Sequence, residues 1–191
     1  LRAELSAILT DMKGQYGAGK YCNAAGECKE LQALEAVLAD SRDYDELLDV
    51  WQGWRQVSPP YRPQYQRFVE IANQGAQDFG YRNLAELWKG GYDMDSHTFT
   101  LEARGLWDQV KPFYDELHCH VRAVLSETYG PEKVSLDGPI PAHLLGNMWS
   151  QTWDNLYPMV EPYAGVASLD VTAALVEQGY DEVRMAKTAE G

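Results

Sequence analysis

The chain has 191 residues, 45% of them hydrophobic and six of them tryptophan, which suits one folded domain or a large piece of one and argues against a disordered chain. Its net charge of −13 argues against nucleic acid as a partner, because that binding rests on Lys and Arg neutralising phosphates. No apolar run approaches the roughly 18–20 residues needed to span a bilayer, and no charged-then-apolar leader opens the chain, so any export signal is expected to be removed or absent.

The 3.6-residue period dominates, strand signals are scarce, and the predicted fold class is all-α. Leu1 to about Lys20 reads as a helix with Leu5, Ile8, Leu9 and Met12 on one side. A second helix is predicted from about Lys29 to Ala39. Asp43 with Glu46 three residues on makes an acidic version of the capping box, opening a helix through Leu47, Leu48, Trp51 and Trp54. Ser58-Pro59-Pro60 breaks the chain, and a long helix then carries Tyr65, Phe68, Val69, Ala72 and Ala76. A shorter one runs from Tyr81 to Gly90. From about Thr98 to Tyr129 the positions Leu106, Val110, Phe113, Leu117, Val121, Val124 and Leu125 keep helical spacing until Gly130-Pro131. Pro158 and Pro162 mark a loop. Asp170 caps a helix through Gln178, and Tyr180 to Lys187 begins another that reads as unfinished. No repeat, low-complexity tract or linker is visible, so residues 1–191 read as a single helical segment.

Cys22 and Cys28 bracket a polar loop, Asn23-Ala-Ala-Gly-Glu27, which suits either a disulfide or two unrelated thiols. Oxidation of the pair would place the protein outside the cytosol. Cys119 lies between His118 and His120, but residues two apart do not share a helix face, so a metal site is not implied. Cys119 reads as a small buried thiol. His97, in Ser96-His-Thr98, reads as a solvated turn residue.

The segment from Gly138 to Trp153, Gly-Pro-Ile-Pro-Ala-His-Leu-Leu-Gly-Asn-Met-Trp-Ser-Gln-Thr-Trp, carries the most information. Pro139 and Pro141 hold the chain extended. Beyond them His143, Asn147 and Gln151 recur at i, i+4 and i+8, predicting a largely buried helix with one polar line. Unpaired polar groups inside a protein cost about 1–3 kcal/mol each, so that line needs partners or water. A satisfied network between packed helices and a helix lining a wet channel both meet that need, and spacing alone favours the first.

Five stretches resemble the angiotensin-converting enzyme family in the family's own order: Cys22…Cys28, Trp51-Gln-Gly-Trp-Arg55, Trp88 to Tyr92, Tyr129-Gly-Pro131 and Gly138 to Trp153. A weaker match runs from Asp170-Val-Thr172 through Gln178-Gly-Tyr180 to Arg184-Met185. The long Gly138–Trp153 match is highly specific, the tryptophan motif moderately so, and the cysteine pair weak alone. The covered span corresponds to under half of a catalytic domain, N-terminal to the zinc motif, and His-Glu-x-x-His occurs nowhere in these 191 residues.

The resemblance implies a large, mostly helical, two-lobed zincin-type peptidase domain with a deep channel. It also implies a peptidyl-dipeptidase, or carboxypeptidase-type, activity on oligopeptides with a free C-terminus. Zinc would be held by residues absent from this chain, so the chain supplies no metal ligand and no catalytic residue and is not expected to be active alone. The remaining C-terminal part of the catalytic domain is the implied partner. By family match Gln151 helps hold the substrate's C-terminal carboxylate, which shifts the polar line to the channel-wall reading. Arg55 and Tyr92 match residues of two separate chloride sites whose other ligands lie elsewhere, and Cys22 and Cys28 match a short-loop disulfide. Gln32 stands where some relatives place a pocket glutamate, so a preference for basic side chains is not implied. The location implied is extracellular or periplasmic, with any membrane association carried by parts outside the chain. A free-standing, non-catalytic helical domain that binds peptides or partners is the alternative.

Overall fold

The computed structural model describes residues 1–163 and 170–190. Nine α-helices are formed among them: α1 (Arg2–Gly17), α2 (Leu31–Asp40), α3 (Tyr44–Trp54), α4 (Arg62–Asp78), α5 (Leu84–Lys89), α6 (Ser96–Tyr129), α7 (Tyr157–Val160), α8 (Val171–Glu177) and α9 (Glu182–Glu190). Short polar side chains start several of them. Asp43, Asn83, Asp95 and Asp170 each accept from an amide two or three residues ahead, satisfying donors that a helix N-terminus leaves open. The all-α reading holds, with one addition. Residues flanking the cysteine loop pair as a small antiparallel hairpin, β1 (Lys20–Cys22) and β2 (Cys28–Glu30), with Cys22 opposite Cys28. The two sulfurs form a disulfide.

The chain divides into two units, Leu1–Val160 and Glu161–Gly191. In the first, residues spaced three or four apart bury one stripe per helix: Leu34 and Leu38 of α2, Leu47, Val50 and Trp54 of α3, Val121 and Leu125 of α6. Val134, Ile140, Leu144, Leu145, Met148 and Leu156 complete this core from non-α segments. Tyr16 of α1 meets Trp54 edge-on at 5.4 Å. Arg67 of α4 reaches Glu4 of α1 at 2.8 Å, and Gln64 donates to Asp11. In the second unit Asp181 accepts from the Arg184 amide at the start of α9, and the Arg184 guanidinium lies 4.0 Å from the centre of the Tyr180 ring. Gly191, the last residue of the unfinished reading, lies outside the described residues.

Four expectations change. The helix predicted from His143 to Trp153 is replaced by a 3-10 turn at Ala142–Leu144 followed by turns and bends. Gly146 takes φ 80° and Ser150 φ 56°, left-handed values that stop helical propagation. Asn147 meanwhile offers its neighbours an alternative to the helical ladder. Its amide oxygen accepts from the Trp149 N–H at 2.9 Å and the Gln151 N–H at 3.4 Å, while its amide nitrogen donates to the Thr152 carbonyl at 2.5 Å. Second, Pro158 sits in the first turn of α7, where a missing N–H is tolerated, and not in a loop. Third, Cys119 is exposed. Its neighbours diverge as two-residue spacing requires: His118 faces Trp153, and His120 bonds the Val160 carbonyl at 2.8 Å. Fourth, His97 belongs to the first turn of α6, still exposed, with its amide bonded to Asp95.

The helix α6 spans 34 residues, about 50 Å at 1.5 Å per residue. It runs through Pro112, which forfeits one backbone bond. Val121 and Leu125 are buried, whereas Leu106, Val110 and Phe113 of the same apolar series are exposed, Phe113 to 75%.

Candidate functional site

The Gly138–Trp153 segment and α6 together line a groove of about 680 Å³, walled by Trp107, Tyr114, Leu117, Ser150, Gln151 and Trp153. The α6 side is aromatic by register. Trp107 and Tyr114 are seven residues apart, two turns on one face, with ring centroids at 5.5 Å. Tyr114 in turn faces Trp153 at 6.0 Å, joining the helix to the loop. Sequence reasoning missed this wall, although the Trp107–Tyr114 interval was the available signal.

Gln151 is exposed on the groove, and among the described residues its side-chain amide has no hydrogen-bond partner. Its backbone is fixed by Asn147, and Ser150 beside it donates its hydroxyl to the Ala142 carbonyl at 2.9 Å. The loop is thus held while the Gln151 amide stays free. An unengaged amide N–H on an apolar groove suits a carboxylate oxygen.

His143 does not share a surface with Gln151. It is 4% exposed, meets Tyr44 edge-on at 4.7 Å, and its Nε2 has no partner among the described residues. Tyr129 also contacts Tyr44 at 5.8 Å, and the Lys133 ammonium lies 4.4 Å from the Tyr44 ring centre. Burial holds the imidazole pKa below its ordinary 6.5. The folded protein therefore binds fewer protons at His143 than the unfolded chain once pH drops below about 6.5, and stability falls as pH falls through that window. His143→Phe should flatten this acid loss, read as the difference between urea midpoints at about pH 7.5 and pH 5. An equal acid loss in the variant would assign it to other groups.

Arg55 ends α3 half-buried between two indoles, 4.0 Å from the Trp51 centroid and 5.4 Å from that of Trp149. Its guanidinium donates to the Met148 carbonyl at 2.5 Å and to the Met148 sulfur at 2.7 Å. Burial lowers its pKa, with Tyr16 opposing. Among the described residues no carboxylate pairs with it. Tyr92 is exposed and stacks on Phe99 at 4.4 Å. Among the described residues the ring and cation contacts of Arg55 and Tyr92 involve different residues. Gln32 lies on a different small cavity, beside Tyr16 and Trp54. Among the described residues no group of three or more His, Cys, Asp or Glu is placed to hold a metal ion.

The Trp51-Gln-Gly-Trp-Arg55 motif has a local explanation. A Cβ on Gly53 would fall on the Tyr21 ring of the hairpin, so the glycine is what lets β1 lie against α3. Tyr21 is pinned there by donating to Asp49 at 2.6 Å, which also raises its pKa.

The family model described as angiotensin-converting enzyme matches residues 1–191, the whole chain. The chain belongs to the angiotensin-converting enzyme family. It is 40% identical over 189 residues to the angiotensin-converting enzymes of Sus scrofa and Rattus norvegicus, matching 98% of this chain and 14% of each relative. It is also 40% identical over 188 residues to the angiotensin-converting enzyme-like protein Ace3 of Mus musculus, covering 97% of this chain and 25% of that protein. The chain therefore spans between one seventh and one quarter of the curated relatives it matches. Its Gly138–Trp153 and Trp51–Arg55 stretches, which carried the resemblance, are the segments that join core, groove and Arg55 in this family member.

Proposed function

We propose that residues 1–191 form one segment of a larger zinc peptidyl-dipeptidase domain, supplying part of the substrate-channel wall and no metal ligand. The observation that carries this reading is the free Gln151 amide on an aromatic groove of about 680 Å³, within the segment of most specific family resemblance. In this reading Gln151 binds the C-terminal carboxylate of an oligopeptide, and Trp107, Tyr114 and Trp153 supply apolar surface beside it. In this reading zinc is held by the remainder of the catalytic domain, since among the described residues no group of three or more His, Cys, Asp or Glu is placed to hold it, and that remainder also packs on the exposed apolar face of α6. Exposed apolar surface of that extent marks an interaction face.

Arg55 and Tyr92 are assigned to two chloride sites completed by residues outside the chain. The Arg55 guanidinium between Trp51 and Trp149, which has no carboxylate partner among the described residues, supports the first. The Cys22–Cys28 disulfide supports an extracellular or periplasmic location.

Gln151→Ala in the protein that carries this chain should raise KM by roughly tenfold for peptides with a free C-terminal carboxylate, the scale of one charge-assisted hydrogen bond. Amidated peptides should show little change. Equal effects on both peptide classes would remove Gln151 from carboxylate binding.

A further inference from the structure

A second cavity, of about 320 Å³, lies between α5 and the first turns of α6. We infer that it binds a small phosphate- or sulfate-bearing ligand through Arg104 and Lys89. The chain carries 16 Lys and Arg against 29 Asp and Glu, yet this lining holds three of the former, Arg82, Lys89 and Arg104, and Glu86 as its one carboxylate. Local charge is therefore opposite in sign to that of the molecule.

That carboxylate is already engaged. Glu86 accepts from the Arg82 amide at 2.6 Å and from its guanidinium Nε at 3.0 Å, so the Arg82–Glu86 pair contributes little net charge. Two cations remain. Lys89 donates to the Thr100 hydroxyl at 3.1 Å, and that hydroxyl donates to the Ser96 carbonyl at 2.9 Å. Thr100 thus fixes the ammonium without neutralising it. Arg104, one helical turn beyond Thr100 on the same face of α6, makes no hydrogen bond or ion pair among the described residues. A planar guanidinium with a free fork, lining one cavity with a held ammonium, suits a tetrahedral oxyanion, which takes two parallel bonds from the one and a point charge from the other.

The α6 terminus is not what forms the site, since Asp95 takes up the His97 and Thr98 amides. The distant negative charge of the chain does not forbid binding either, because exposed charges are screened beyond about 8 Å at physiological ionic strength. The lining is polar and its volume sits at the small end of ligand sites, which favours a phosphate or a compact phosphate ester over an extended polymer.

The test is calorimetric titration of the protein that carries this chain, at constant ionic strength in phosphate-free buffer. Inorganic phosphate is used in one arm and glycerol 3-phosphate in the other. Saturable one-site binding is expected, weakened about tenfold by Arg104→Gln and again by Lys89→Gln, with unfolding midpoints unchanged. Binding in the phosphate arm identifies the free anion as ligand, and binding confined to the ester arm identifies an organic phosphate. Absence of saturable heat in both arms, or wild-type binding in both variants, would overturn the assignment.

Discussion

Met148→Ala should destabilise the fold by about 2–5 kcal/mol, the range for truncating a fully buried large side chain. Met148 is 0% exposed in the main core and also contacts Arg55 through both its sulfur and its carbonyl. Truncation leaves a cavity beside Leu144 and Leu145 and removes one of two acceptors of a half-buried guanidinium. Met148→Leu keeps the volume but not the sulfur, and should cost under about 1.5 kcal/mol. Chemical unfolding of both variants measures the two values. If alanine costs no more than leucine, Met148 is not part of a close-packed core.

Gly53→Ala should cost about 1–3 kcal/mol, although alanine is the better helix former, because the added methyl meets the Tyr21 ring. The Tyr21–Asp49 hydrogen bond prevents the ring from turning aside without loss. In a Tyr21→Ala background the same substitution should become neutral or favourable, so a double-mutant cycle isolates the clash. A penalty that survives removal of Tyr21 would place its origin within α3 itself.

Most of the helical framework was legible because capping residues and apolar spacing agree. Asp43 with Glu46, Ser58-Pro59-Pro60 and Gly130-Pro131 each mark a boundary the structure keeps. The Gly138–Trp153 segment was not, because its spacing of four is a true pattern with a different cause. His143, Asn147 and Gln151 have three environments: a buried ring against Tyr44, an amide bonding its own loop, and an exposed amide on the groove. Periodicity reports where side chains would lie if the backbone were helical. It carries no information on whether an asparagine side chain captures the backbone first. The exposed apolar face of α6 was hidden for another reason. Leu106, Val110 and Phe113 look like core positions, yet burial depends on a partner surface that local spacing does not encode.

The non-helical course of residues 145–153 also bears on how this segment can change. A continuous helix would bind His143, Asn147 and Gln151 into one surface, and altering any of them would disturb the other two. The turns separate them, and among the described residues the contacts of His143 and Gln151 have no partner in common. Substitutions at His143 and Gln151 are therefore close to additive. Acid tolerance of the core and the proposed recognition on the groove become independently adjustable within nine residues of sequence, with Asn147 as the position that keeps them apart.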